Sequence, residues 1–159
     1  MAKNLVVYFS ATGITRKVAT TLAEANGADL YEIKPQVPYS NDDLNWMDKS
    51  SRSSIEMKDL KSRPAIIEED VNVKDYNTIF LGFPIWWYIA PTIVNTFLEK
   101  QNFAGKRIIL FATSGGSGFG KTVENLRPSV PYTTQILEGK IWNNSPSFDE
   151  LRIWASIYD

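Results

Sequence analysis

The sequence has no cysteine and no histidine among its 159 residues. This excludes disulfides, thiolate nucleophiles, iron–sulfur clusters, zinc sites built on these side chains, and catalysis of the Ser-His or Cys-His type. The charges nearly cancel, with 17 Lys and Arg against 18 Asp and Glu, so we expect no strongly basic surface for nucleic acid. Demanding chemistry would therefore depend on a bound cofactor.

Long apolar segments are also missing. The N-terminal apolar run at 5–9 is too short for the core of a signal peptide. The longest largely apolar stretch, 79–90, contains a glycine and a proline, and a membrane span needs about twenty residues. We therefore expect a cytoplasmic protein with no membrane partner.

Short apolar runs alternate with helix-like stretches, which is typical of an α/β domain with a mostly parallel sheet. Continuous apolar runs indicate strands buried on both faces. The pattern predicts strands at 5–9, 29–34, 78–83, 107–112 and 133–137. It predicts helices at 13–25, after Pro91, near 121–127, and from a capping box that begins at Ser147.

One polar segment, at about 35–69, interrupts this alternation. It has too few apolar residues for a core of its own, so we interpret it as an insertion within a single domain spanning 1–159. Trp46, Ile55 and Leu60 are candidates for the apolar side of one short helix in it. Trp46 or Arg52 would face a ligand if the insertion covered a binding site.

Three loops that follow predicted strands carry the candidate binding residues, because ligands of open α/β sheets bind beyond the carboxyl ends of the strands. The first loop has three hydroxyls and a glycine before a helix N-terminus, which suits a phosphate without any lysine. An ordinary helix cap is the alternative. Its candidate residues are Ser10, Ala11, Thr12, Gly13, Ile14 and Thr15.

The second loop contains three consecutive aromatic residues, which cannot all point into the core from one strand end. At least one should face a flat ligand or cover the sheet edge. Its candidates are Pro84, Ile85, Trp86, Trp87 and Tyr88. The third loop is rich in glycine, so its backbone can approach a ligand closely. Its candidates are Thr113, Ser114, Gly115, Gly116, Gly118 and Phe119.

Residues 115–122 read GGSGFGKT, which matches the phosphate-binding motif of nucleotide hydrolases. Such enzymes also need a strand that ends on an aspartate to hold magnesium. Neither the strand at 78–83 nor the segment after Thr122 provides one. The hydrolase interpretation also leaves the first loop and the tryptophans unexplained, so we favour a cofactor site.

Together, the three loops resemble those of the flavodoxin family in order and spacing, over nearly the whole chain. The resemblance implies a three-layer, doubly wound α/β sandwich with a five-stranded parallel sheet of order 2-1-3-4-5. Flavodoxin is itself the reference example of this strand order, with FMN at the junction of strands one and three. The implied function is low-potential electron transfer by bound FMN between a reductase and an acceptor protein, with no catalytic side chain and no metal.

The same resemblance implies a role for each loop. The hydroxyls of Ser10, Thr12 and Thr15 would hold the FMN phosphate. Residues 86–88 would stack on the isoalloxazine ring or lie at its edge. Residues 113–116 would reach the pyrimidine end of the ring, and Phe119 would cover the ring.

The second loop departs from many flavodoxins, which carry there a glycine whose peptide flips to stabilise the one-electron reduced flavin. A flip to positive φ would cost a bulky residue about 1 kcal/mol or more, so we expect weaker stabilisation of that state. Residues 84–87, Pro91 and residues 113–116 are also similar to flavodoxin-like NAD(P)H:quinone reductases. An FMN-dependent oxidoreductase of that type is the alternative. A flavin-free receiver domain is less favoured, because Ser10 and Ala11 stand where acidic residues would bind magnesium.

Overall fold

The computed structural model describes residues 3–159, and its five strands form one parallel sheet. The strand order is β2-β1-β3-β4-β5, as predicted. The strands are β1 (Lys3–Tyr8), β2 (Asp29–Glu32), β3 (Tyr76–Pro84), β4 (Arg107–Thr113) and β5 (Gln135–Ile141). The order reverses between β1 and β3, so the connections that follow these two paired strands run to opposite faces of the sheet and leave a crevice between their loops.

Helices cover both faces of the sheet and make the predicted three layers. They are α1 (Ile14–Asn26), α2 (Arg52–Lys58), α3 (Thr92–Lys100), α4 (Thr122–Leu126) and α5 (Phe148–Ser156). One apolar core packs α1 and α5 against one face, and the other packs α3 and α4 against the opposite face. The predicted capping box starts α5, with both reciprocal hydrogen bonds between Ser147 and Glu150 present. No helix within residues 3–159 is long and apolar enough to cross a bilayer.

The last strand differs most from its prediction, since β5 extends to Ile141 rather than ending at 137. Gly139 interrupts the apolar pattern because it occupies a bulge, where the pairing with β4 shifts between Leu110 and Phe111. A Cβ at Gly139 would lie 2.1 Å from the carbonyl oxygen of Leu110. The bulge therefore requires a glycine in a position that sequence periodicity treats as the end of the strand.

The insertion at 35–69 contains the predicted short helix, but the face assigned to it was wrong. Trp46 lies outside α2, and Ile55 and Leu60 are exposed. The helix instead packs through its small and flexible side chains, Ser53 and Met57. Small polar residues allow close packing of this helix, and they carry no apolar periodicity that a sequence pattern would detect.

Candidate functional site

The three predicted loops meet in one cavity of about 700 Å³ beyond the carboxyl ends of β1, β3 and β4. This volume falls within the range of small-molecule and cofactor sites. Its walls come from all three loops and from the insertion: Ala11, Thr12, Leu44, Trp46, Ser53, Pro84, Ile85, Trp86, Trp87, Tyr88, Gly115, Gly116 and Ser117. The cavity therefore lies where the reversal of strand order predicts a ligand.

The first loop lines the cavity through Ala11 and Thr12, just before the N-cap residue of α1, Gly13. The Oγ of Ser10 accepts a hydrogen bond from the backbone N–H of Gly13 at 3.0 Å, which closes the loop. No side chain caps α1, and its first turn has no acidic residue. The first N–H groups of a helix lack partners within the helix, and its dipole favours an anion there. This end of the cavity is therefore suited to a phosphate group.

The second loop is a tight two-residue turn. Trp86 and Ile89 exchange both backbone hydrogen bonds, at 2.9 and 3.2 Å, and the two residues between them, Trp87 and Tyr88, have φ of 49° and 68°. Bulky residues occupy positive φ in this turn despite the cost expected for them. Its hydrogen bonds hold two aromatic residues in the left-handed region, at a cost of about 1 kcal/mol or more each.

Trp86 is fixed by an aromatic cluster beneath the cavity. Its ring meets those of Phe9 and Tyr39 edge to face, with centroids 5.7 and 5.5 Å apart. Tyr39 belongs to the insertion, and its hydroxyl donates to the carboxylate of Glu56 at 2.5 Å. Burial of the ring, and secondly this hydrogen bond, raise the pKa of Tyr39. The cluster therefore joins the insertion to the second loop and gives the cavity a rigid aromatic wall.

The third loop is held by contacts that the sequence pattern did not indicate. The Oγ of Ser114 donates to the carbonyl oxygen of Ser117 at 2.7 Å, and the amide of Asn143 accepts from the backbone N–H of Ser114. Gly120 packs so closely on the second loop that a Cβ there would lie 2.3 Å from the carbonyl oxygen of Tyr88. Gly120 therefore positions the Trp87–Tyr88 turn.

Thr122 shows that the GGSGFGKT segment does not form a nucleotide hydrolase site. Such a site would need the Thr122 hydroxyl to face a magnesium ion. The residue is fully buried, and its hydroxyl donates to the backbone carbonyl of Phe119.

The insertion adds Ser53 to the cavity wall, which sequence reasoning missed. Ser53 is 2% exposed, and its Oγ has no hydrogen-bond partner among the described residues. A buried hydroxyl without a partner costs about 1–3 kcal/mol, so such groups commonly indicate a missing ligand or water. Trp46 also lines the cavity, as the sequence allowed. Arg52 does not, because it binds Glu56 and the carbonyl oxygen of Val37 and covers the ring of Tyr39.

The cavity wall contains no charged side chain among the residues that the structure describes. Arg16, which follows the first loop, forms an ion pair with Glu32 at 2.5 Å instead of pointing at the cavity. The helix N-terminus is therefore the main source of positive potential near the first loop, and the aromatic wall is neutral.

Several predicted site residues support the loops rather than line the cavity. Thr15 is buried, and its hydroxyl lies 2.8 Å from that of Thr113, which joins the first loop to the third. Phe119 packs edge to face against Phe83 in the core and does not reach the cavity, contrary to its predicted role as a cover for the ring. The other predicted residues outside the cavity wall are Ser10, Gly13, Ile14, Ser114 and Gly118.

Comparisons with known proteins agree with this geometry. A family model described as Flavodoxin matches residues 3–157. The structure is similar to that of a candidate flavoprotein from Bacteroides eggerthii DSM 20697, with a TM-score of 0.89 and 44% identity over 99% of this chain and 98% of that one.

Two further proteins are similar to most of this chain at lower sequence identity. A flavoprotein in complex with FMN from Lactobacillus acidophilus NCFM has a TM-score of 0.73 and 21% identity, over 98% of this chain and 99% of that one. The flavodoxin-like domain-containing protein BilS of Clostridioides difficile strain CD3 is 27% identical over 148 residues, which are 87% of this chain and 67% of that protein. With the family model covering nearly all described residues, the chain belongs to the flavodoxin family.

Proposed function

We propose that the protein binds FMN in the 700 Å³ cavity and serves as a low-potential electron-transfer protein. The observation that carries the proposal is the composition of this one cavity, which joins the loop leading into an uncapped helix N-terminus to a neutral aromatic wall. A flavin mononucleotide has the matching parts, a phosphate at one end and a flat ring at the other. The crystal structure with FMN from Lactobacillus acidophilus, which has the same fold, supports this choice of ligand.

The first loop would hold the phosphate. Thr12 is exposed at the cavity, and the free N–H groups at the start of α1 point outward from the helix end. No lysine or arginine is among the residues that line this end. The phosphate would therefore depend on backbone N–H groups and hydroxyl donors.

The insertion and the second loop would hold the rest of the cofactor. Trp86, Trp87 and Tyr88 provide ring surfaces for the isoalloxazine, where stacking is worth about 0.5–1.5 kcal/mol beyond area burial. Ser53 provides a hydroxyl whose hydrogen bond is unmet without a ligand. This unmet hydrogen bond is an independent sign that the cavity fits a polar cofactor rather than a purely apolar one.

Bound FMN supplies the redox chemistry, and the protein tunes it. Because the described cavity wall has no cation, nothing in it stabilises the negative charge that the flavin gains on reduction. Neutral, aromatic walls also exclude water from the ring. These properties favour the oxidised flavin and therefore a low reduction potential.

The carrier proposal is tested by mixing FMN-loaded protein with NADPH and a quinone, with and without a separate flavodoxin reductase. We expect reduction of the flavin only when the reductase is present. Rapid turnover with NADPH and quinone alone would contradict the carrier role and favour the NAD(P)H:quinone oxidoreductase alternative. Failure to load FMN would contradict both.

A further inference from the structure

A second cleft of about 520 Å³ lies beside the proposed cofactor cavity. The insertion forms nearly all of its wall, and Trp87 of the second loop forms the remainder. Trp46 and Trp87 line both spaces. These two residues therefore form a wall common to the cleft and the cofactor cavity.

The wall of the cleft is mostly apolar and is unusually open to solvent. Met47 is 76% exposed and Trp46 is 69% exposed, although both are large apolar side chains. Met57 forms the floor and belongs to the packed part of α2. Clustered exposure of large apolar residues marks a binding surface, and methionine adapts well to flat ligands of varied shape.

Two lysines give this apolar cleft a positive charge. Lys49 and Lys58 both line it, and neither forms an ion pair with a carboxylate among residues 3–159. The Nζ of Lys58 donates to the backbone carbonyl of Lys49 at 3.5 Å, which brings that ammonium group to the segment that carries the second lysine. The chain as a whole has a net charge of -1, so this local positive charge is not a general property of its surface.

We propose that the cleft binds a flat, conjugated carboxylate of two or three fused or linked rings, beside the flavin. Two indole rings and methionine side chains fit a flat apolar body, the lysines fit a carboxylate at its edge, and the volume fits a ligand of this size. The functional meaning of this site rests on the proposed binding of FMN. The cleft itself is formed by protein residues alone, so the two proposals can fail separately.

The test uses FMN-loaded protein in the oxidised state and two probes of the same shape, 2-naphthoate and the uncharged 2-naphthylmethanol. Calorimetric titration gives the dissociation constant of each probe, and quenching of tryptophan fluorescence reports contact with the indoles. We expect one molecule of either probe to bind, with 2-naphthoate binding more tightly. Added potassium chloride should weaken the binding of 2-naphthoate alone, because salt screens its attraction to the lysines.

Variants separate the contribution of the lysines to probe binding from that of the apolar wall. The double variant Lys49→Gln, Lys58→Gln should weaken 2-naphthoate roughly threefold to tenfold and leave 2-naphthylmethanol within twofold, since exposed charge pairs are individually modest. Met47→Ala should weaken both probes alike. The control is Lys61→Gln, Lys74→Gln, which makes the same change in net charge outside the cleft and should change neither probe.

The dissociation constant for FMN, measured on the same variants, distinguishes this inference from the proposed function. Unchanged FMN affinity together with a lost preference for 2-naphthoate in the Lys49, Lys58 variant supports the inference. Equal binding of the two probes to the parent protein, or equal loss in the control variant, would overturn it. The inference would also be overturned if neither probe bound and the parent protein were a dimer that the Met47→Ala substitution dissociates. A second copy of the chain would then occupy the cleft.

Discussion

Replacing Ser53 by alanine should have opposite effects on the free protein and on the FMN complex. Ser53 is 2% exposed, lines the cofactor cavity, and has no hydrogen-bond partner for its hydroxyl among the described residues. In the free protein this unmet hydroxyl costs about 1–3 kcal/mol. Ser53→Ala removes that cost, and the greater helix propensity of alanine acts in the same direction. The free energy of unfolding of the apoprotein should therefore rise by about 1–3 kcal/mol.

The complex should respond in the opposite sense because FMN would give the hydroxyl its missing partner. Binding to the parent protein then recovers about 1–3 kcal/mol that the variant cannot recover, which corresponds to a dissociation constant for FMN about 5- to 150-fold higher in the variant. Urea denaturation of the apoprotein gives the first quantity. Titration of FMN fluorescence gives the second.

Thr96→Val is the matched control for this prediction. Thr96 in α3 is also buried with an unpartnered hydroxyl, but it lies outside the cofactor cavity. The Thr96→Val variant should likewise preserve or raise the stability of the apoprotein, and it should leave the affinity for FMN unchanged. An unchanged FMN dissociation constant in Ser53→Ala, or an equal loss in both variants, would refute the reasoning.

Three other changes test separate parts of the site. Gly120→Ala would place a Cβ 2.3 Å from a backbone oxygen of the second loop and should weaken FMN binding at least tenfold, whereas Gly105→Ala, with φ of 74° but open space around it, should only lower stability by about 1 kcal/mol. Thr12→Val should weaken FMN much more than riboflavin in paired titrations, and equal losses would exclude a phosphate contact. Because its pKa is raised by burial, Tyr39 keeps its proton above pH 10 only in the folded state. The free energy of unfolding should therefore fall as the pH rises beyond about 10, and a smaller fall is expected for Tyr39→Phe; an identical fall would contradict this assignment.

The sheet and the three loops could be predicted because they depend on local signals. Unbroken apolar runs indicate strands buried on both faces, and the hydroxyl-rich and glycine-rich segments follow directly from them. The position of Gly139 could not be predicted in this way. Its role depends on the carbonyl oxygen of Leu110 on the neighbouring strand, which no pattern within β5 reveals.

The contribution of the insertion to the site also could not be predicted from the sequence. Ser53 reaches the cavity through the packing of α2, and its hydroxyl is conspicuous only because three-dimensional contacts leave it without a partner. The φ values of Trp87 and Tyr88 oppose their local preferences and follow from the two hydrogen bonds between Trp86 and Ile89. Features of this kind are set by tertiary structure, which overrides local propensity at binding sites.

The central claim is that one cavity holds the phosphate and the ring of FMN together. The most direct test of this claim is to titrate the apoprotein with FMN and, separately, with riboflavin, and to monitor flavin fluorescence and absorbance. We predict one FMN per chain, quenching of flavin fluorescence by the aromatic wall, and affinity for FMN at least tenfold above that for riboflavin. Absence of FMN binding, or equal affinity for the two flavins, would contradict the account.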